Sequence, residues 1–127
     1  MKNRVNLKGL FVVDYDLDED TLLIHSKKGK TKQSMEVSED LIIDLDKDEN
    51  LVGIELFDAF KLFKTLNKDI TQEMLSNLKE AKLNLIKYKC YFIIEVIFAY
   101  KGITIEEKLP AFSTSLYESP LIASVHA

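Results

Sequence analysis

Cysteine, arginine and histidine are nearly missing from this chain. Cys90 is the only thiol, Arg4 the only arginine, and His25 and His126 are the only histidines. One thiol excludes an intramolecular disulfide. With no recognisable signal peptide, it points to a reducing, cytoplasmic setting. Neither histidine has a second at metal-ligand spacing, which argues against a zinc site. Basic charge is also short: 17 Lys and Arg stand against 21 Asp and Glu, for a net charge of −4. A basic footprint carries phosphate-backbone affinity, so no nucleic-acid partner is expected. Long apolar runs are absent as well. The patch ending at Asp14 is too short for a secretory core, and Cys90 to Tyr100 is interrupted by Glu95, so no membrane span is expected. The sequence lacks GxGxxG, P-loop and GxSxG patterns. No catalytic, cofactor-binding or metal-binding residue is therefore assigned, and no cofactor is implied.

What is present is the balance of an ordinary globular protein, 46% apolar and 30% charged over 127 residues. The expectation is a single domain over 1–127. Its fold class is α+β, mainly an antiparallel sheet built from hairpins, with one or two short helices between an N-terminal and a C-terminal set of strands. Four parts divide it: a hairpin region over 10–60, a helical segment over 58–80, a β-meander over 83–109 and an irregular tail over 110–127, where Pro120 and several serines stand.

Alternation of apolar residues predicts strands over Leu10–Tyr15 and Thr21–His25, joined by the acidic turn Asp16–Asp20. A more polar strand over Lys32–Val37 suits a sheet edge. Leu41–Leu45 and Leu51–Leu56 form a second hairpin, with Ile43 facing Ile54. That register gathers Leu41, Ile43, Leu45, Val52, Ile54 and Leu56 on one face, and a slip by one residue would scatter them. Asp58 is the expected N-cap of a helix through Ala59, Phe63 and Leu66, broken at Asn67–Ile70. Thr71 is the expected N-cap of a second helix, with Lys79 and Lys82 near its C-terminal end. Leu83–Tyr88, Cys90–Tyr100 and Ile103–Leu109 fit a meander with a turn at Lys101-Gly102. Cys90–Tyr100 is apolar on both faces, which implies a central strand covered on both sides or covered by a second subunit.

Two acidic groups could carry chemistry. Asp44, Asp46, Asp48 and Asn50 alternate like calcium-loop ligands, with Glu55 at the twelfth position counted from Asp44. Glu49 stands where that loop needs glycine and the flanks are strands, so a solvated hairpin turn explains the pattern better. Asp14, Asp16, Asp18, Glu19 and Asp20 could serve acid–base work or a hard cation. A solvated turn, capped by Asp16 and Asp20, is again the simpler account. Cys90 reads as a buried small apolar residue. Lys27, Lys28, Lys30 and Lys32 around Gly29 read as a solubilising turn.

The stretch from about Val13 to Ala59 resembles the family catalogued as domain of unknown function 2283. The resemblance rests on Tyr15, Asp16, Asp20, Leu22 and Ile24, then Val37, Ser38, Asp40, Ile43, Asp44 and Asp46. It ends with Leu51-Val52-Gly53-Ile54-Glu55 and the Asp58-Ala59 step. Members commonly carry Asp-Gly where this chain has Asp48-Glu49. A four-residue turn over Lys47–Asn50, with Asn50 left-handed, is the expected accommodation. The resemblance implies a small β-rich protein with no catalytic residues to carry over. It also implies an antitoxin-like role, because some members neighbour genes for small toxins. The leading expectation is a non-enzymatic interaction or oligomerising module, a homo-oligomer with a dimer favoured. The alternatives are an antitoxin-like binder of a small basic protein and a metal-dependent enzyme using the acidic loops.

Overall fold

In a computed structural model, residues 11–88, 91–109 and 112–113 are described. Leu10, Cys90, His126, Pro110 and Pro120 lie outside them, with most of the tail. The N-terminal strands are β1 (Phe11–Asp16), β2 (Thr21–Ser26), β3 (Gln33–Ser38), β4 (Leu41–Leu45) and β5 (Leu51–Phe57). Two short helices follow, α1 (Ala59–Leu66) and α2 (Gln72–Ser76). The C-terminal strands are β6 (Glu80–Lys87), β7 (Tyr91–Tyr100), β8 (Ile103–Lys108) and the two-residue β9 (Phe112–Ser113). All pair antiparallel in one sheet, ordered β3-β4-β5-β2-β1-β6-β7-β8, with β9 continuing beside β7. The sheet curls as a half-barrel.

The expected register is present: Ile43 pairs with Ile54, Leu41 with Leu56. Ile54 pairs in turn with Ile24, and Ile24 with Val13. These residues, with Phe92, Ile94, Val96 and Phe98 of β7, form one buried cluster. Each such side chain taken out of water contributes about 1.5–3 kcal/mol before chain entropy is charged against it. Phe63 of α1 stands edge-on to Phe98, with ring centroids 6.0 Å apart. That contact fixes the helix against the C-terminal strands. β3 is an edge strand, as its polarity predicts. β7 is central, flanked by β6 and β8. Its second face buries Ile97, half-buries Ile93 and Glu95, and exposes Ala99.

The two halves of the sheet meet where β1 lies beside β6. Among the described residues, β1 pairs with β6 through Phe11–Ala81 and Val12–Glu80. One further bond runs from the Val13 N–H to the Lys79 carbonyl (3.0 Å).

Five expectations need correction. Asp58 precedes α1 but is left-handed (φ 53°), and its side chain makes no capping bond. The acceptor comes from 40 residues away, where the Asp20 carboxylate takes the Phe60 N–H (2.8 Å). Glu49, not Asn50, holds the left-handed position of the β4–β5 turn (φ 66°). The Asp46 carbonyl accepts from the Glu49 N–H (3.0 Å), which closes the turn one residue earlier than expected. A bulge between Asp44 and Leu45 pairs Leu45 with Leu51. Leu51 therefore packs against the core, while Val52 is buried outside that cluster, beneath Gly29. α2 stops at Ser76, so Lys79 lies past it and Lys82 falls within β6, which begins at Glu80 rather than Leu83. Thr71 does cap α2, accepting from the Met74 N–H (3.1 Å).

Candidate functional site

The signature residues of the N-terminal half converge at the foot of α1. Asp20 is left-handed (φ 53°) at the end of the β1–β2 turn, which aims its carboxylate at the helix. One oxygen, Oδ1, accepts from the Phe60 N–H and from the Tyr15 hydroxyl (2.6 Å). The Asp20 carbonyl accepts from the Ala59 N–H (3.0 Å), and Gln72 of α2 donates to the Tyr15 oxygen (3.1 Å). Burial, helped by the hydrogen bond to Asp20, pushes the Tyr15 phenol up to about 12. A phenol held protonated against a carboxylate is a strut, joining β1, both helices and the turn.

The calcium-like turn is occupied by its own backbone. Asp46 Oδ1 accepts from the N–H groups of Asp48 (2.8 Å) and Asn50 (2.9 Å). Its Oδ2 takes the Asn50 side-chain amide (3.3 Å). These bonds, the Asn50 N–H first, hold the Asp46 carboxyl below its usual range. Asp44 points elsewhere, accepting from the Ser34 hydroxyl (2.6 Å). In the first acidic turn Asp16 caps the Glu19 N–H (3.1 Å), as expected. Among the described residues, no three His, Cys, Asp or Glu side chains converge as metal ligands.

The outer face of the N-terminal strands brings His25, Asp44 and Gly53 together. A Cβ on Gly53 would stand 2.8 Å from the His25 ring and 3.1 Å from an Asp44 oxygen. The His25 nitrogens turn away from Asp44: Nδ1 lies 2.9 Å from the Ser26 carbonyl, Nε2 3.3 Å from the Thr31 hydroxyl. A nucleophile-and-base arrangement needs the imidazole nitrogen on the carboxylate, so this cluster is a packing contact. Farther along the same face, Asp14, Asp16, Glu19, Glu55 and Asp58 rim a shallow depression of about 360 Å³ floored by Leu23 and Phe57. The basic turn is partly paired across the seam, Lys27 with Glu80 at 3.1 Å.

The C-terminal half offers a different surface. β8 ends the sheet, and among the described residues no strand pairs with its far side. Ile103 is 63% exposed at its start. Beneath it lies a cleft of about 510 Å³ between β8 and the link joining α1 to α2, with Ile70, Met74, Tyr100 and Ile105 in its wall. Asn67 of that link donates to Glu107 (2.8 Å), which fixes the cleft's floor to the strand. Sequence reasoning took Ile103 as an ordinary meander residue. The available signal was the short apolar alternation Ile103-Thr104-Ile105 directly after a turn, with the charged Glu106, Glu107 and Lys108 next.

Comparison with known proteins places the resemblance on the N-terminal half. Residues 13–59 match the family described as Protein of unknown function (DUF2283). An uncharacterized protein of Methanocaldococcus jannaschii is 33% identical over 63 residues, covering 50% of this chain and 53% of the relative. The chain thus spans about half the length of the curated relative it matches. No solved structure matches. Among the described residues, no helix is long and apolar enough to cross a membrane.

Proposed function

We propose that this chain is a non-enzymatic protein–protein interaction module that docks its partner on the β8 edge. The carrying observation is Ile103, an isoleucine 63% exposed on a strand whose far side has no partner among the described residues, above a cleft walled in part by Ile70, Met74 and Ile105. Native sheets protect such edges with charge, proline or bulges, because a bare edge recruits strands. The opposite edge, β3, is interrupted by a bulge between Glu36 and Ser38, whereas β8 carries its exposed charges, Glu106 and Lys108, toward one end and leaves Ile103 bare at the other. β8 runs in unbroken register with β7 from Lys108 to Ile103. The groups best suited to catalysis support the same reading, because Asp20, Asp46, Tyr15 and His25 are engaged in holding turns and helix ends.

Amine-reactive cross-linking in cell extract tests it. Intermolecular cross-links should concentrate on Lys101 and Lys108, which flank the edge, and Ile103→Asp should remove them. Cross-links confined to Lys27, Lys28 and Lys30 would reject the assignment.

A second reading rests on the acidic outer depression floored by Leu23 and Phe57. Its charge suits a small basic protein, the antitoxin-like role. Co-purification with a small basic neighbour, lost in Glu55→Lys but kept in Ile103→Asp, would favour it over the edge.

A further inference from the structure

We infer that the partner on the β8 edge is a second copy of this chain, added antiparallel across a twofold axis that passes beside Ile105. This rests on the reading of β8 as the docking strand. The Leu109 N–H bonds the Ile94 carbonyl across to β7 (2.8 Å). Alternation along the strand then turns the backbone groups of Ile103, Ile105 and Glu107 toward β7 and those of Thr104, Glu106 and Lys108 outward. An antiparallel mate must match outward residues with outward residues. With Ile105 facing its own copy, Thr104 exchanges both backbone bonds with the mate's Glu106, and Glu106 with the mate's Thr104.

The side chains agree with that arrangement. Ile105 meets Ile105 in a close, non-hydrogen-bonded pair on the cleft side, continuous with the exposed Ile103 and the half-buried Tyr100. Charge selects the direction. Lys101 stands at one end of the edge, its ammonium 5.3 Å from the Tyr100 ring centroid, and Glu106, Glu107 and Lys108 stand toward the other. In the antiparallel register Lys101 lies diagonally beside the mate's Glu107 on one face and Lys108 lies opposite the mate's Gly102, while parallel pairing would set glutamates against glutamates and lysine against lysine. An unrelated strand would have to reproduce this pattern of apolar centre and opposed ends. A second copy carries it by symmetry, and a twofold contact closes without leaving another edge open at the joint.

The test uses the full chain. Sedimentation should give twice the 14.6 kDa chain mass. Ile103→Asp, which would stand opposite the mate's Glu107, should return it to one chain mass with an unchanged far-ultraviolet circular dichroism spectrum. In a Cys90→Ser background, oxidation should link Ile105→Cys to its mate, because facing residues of a non-hydrogen-bonded pair lie about 4.5 Å apart at Cα, within disulfide reach. Ile103→Cys in the same background should stay unlinked. Amide exchange at Thr104 and Glu106 separates the failures. A monomer whose two amides exchange fast overturns the second copy while leaving the edge open to another partner. A monomer whose amides are protected shows the edge covered from within its own chain, and overturns the docking strand too. A dimer that survives Ile103→Asp and lacks the Ile105→Cys link overturns both.

Discussion

Left-handed residues mark joints of this protein, and among the described residues three of the four non-glycine cases are acidic: Asp20, Glu49 and Asp58, with Lys101 the fourth. Aspartate tolerates that conformation better than glutamate does, so Glu49 is the costliest of the three. Glu49→Gly restores the dipeptide common in the resembled family. It should stabilise the chain by about 0.5–1 kcal/mol, since relief of backbone strain exceeds the extra freedom of the unfolded glycine. Urea denaturation would show a higher midpoint at constant slope. Asp20 is different, because its conformation delivers a cap that nothing nearby can replace. Asp20→Ala should cost about 1–2 kcal/mol through the lost helix cap and the freed Tyr15 hydroxyl, read in the same assay. The Tyr15 phenol has its pKa raised from 10.0 to about 12 in the folded state. Its contribution is therefore fully present below pH 10 and is lost as the pH rises through 12. Tyr15→Phe should lower stability at pH 8 and flatten its fall between pH 10 and 12, measured as the difference between the two chains' denaturation midpoints.

At the scale of elements, patterns of local chemistry were readable and long-range substitutions of role were not. The Ile43–Ile54 register, the Thr71 cap and the Lys101-Gly102 turn each follow from residues within one hairpin or one helical turn. The cap of α1 does not, because its acceptor lies in another turn and only the folded sheet brings Asp20 beneath Phe60. The bulge that diverts Val52 was hidden for a related reason. Apolar residues at both 51 and 52 fit either face, and the turn decided between them. The candidate edge was legible only as a strand, since exposure of Ile103 depends on where the sheet stops. Gly53 lies at a close strand contact, filled by His25, Asp44 and the Ile24 carbonyl at 2.8–3.1 Å from a notional Cβ. The carbonyl belongs to the sheet and cannot turn aside. Gly53→Ala should cost about 1–3 kcal/mol by overpacking, visible as a lower melting temperature.

At the scale of the molecule, the family match ends at Ala59, the first residue of α1, so it covers one half of the sheet and stops where the helices begin. The β8 edge lies wholly in the other half. The part that resembles a family and the part proposed to meet a partner are thus different parts. They are joined by the seam at Phe11–Ala81 and Val12–Glu80. That seam has a kinetic meaning. Its residues are about 70 positions apart, so closing it costs more chain entropy than closing any neighbouring hairpin. Contacts of such separation slow folding, and the local hairpins on each side need not wait for them. During synthesis, β1 to β5 can assemble while β6 is still being made. Until β6 arrives, β1 is itself a bare edge, and the interval between those two events is when the nascent chain is most open to pairing with the wrong strand.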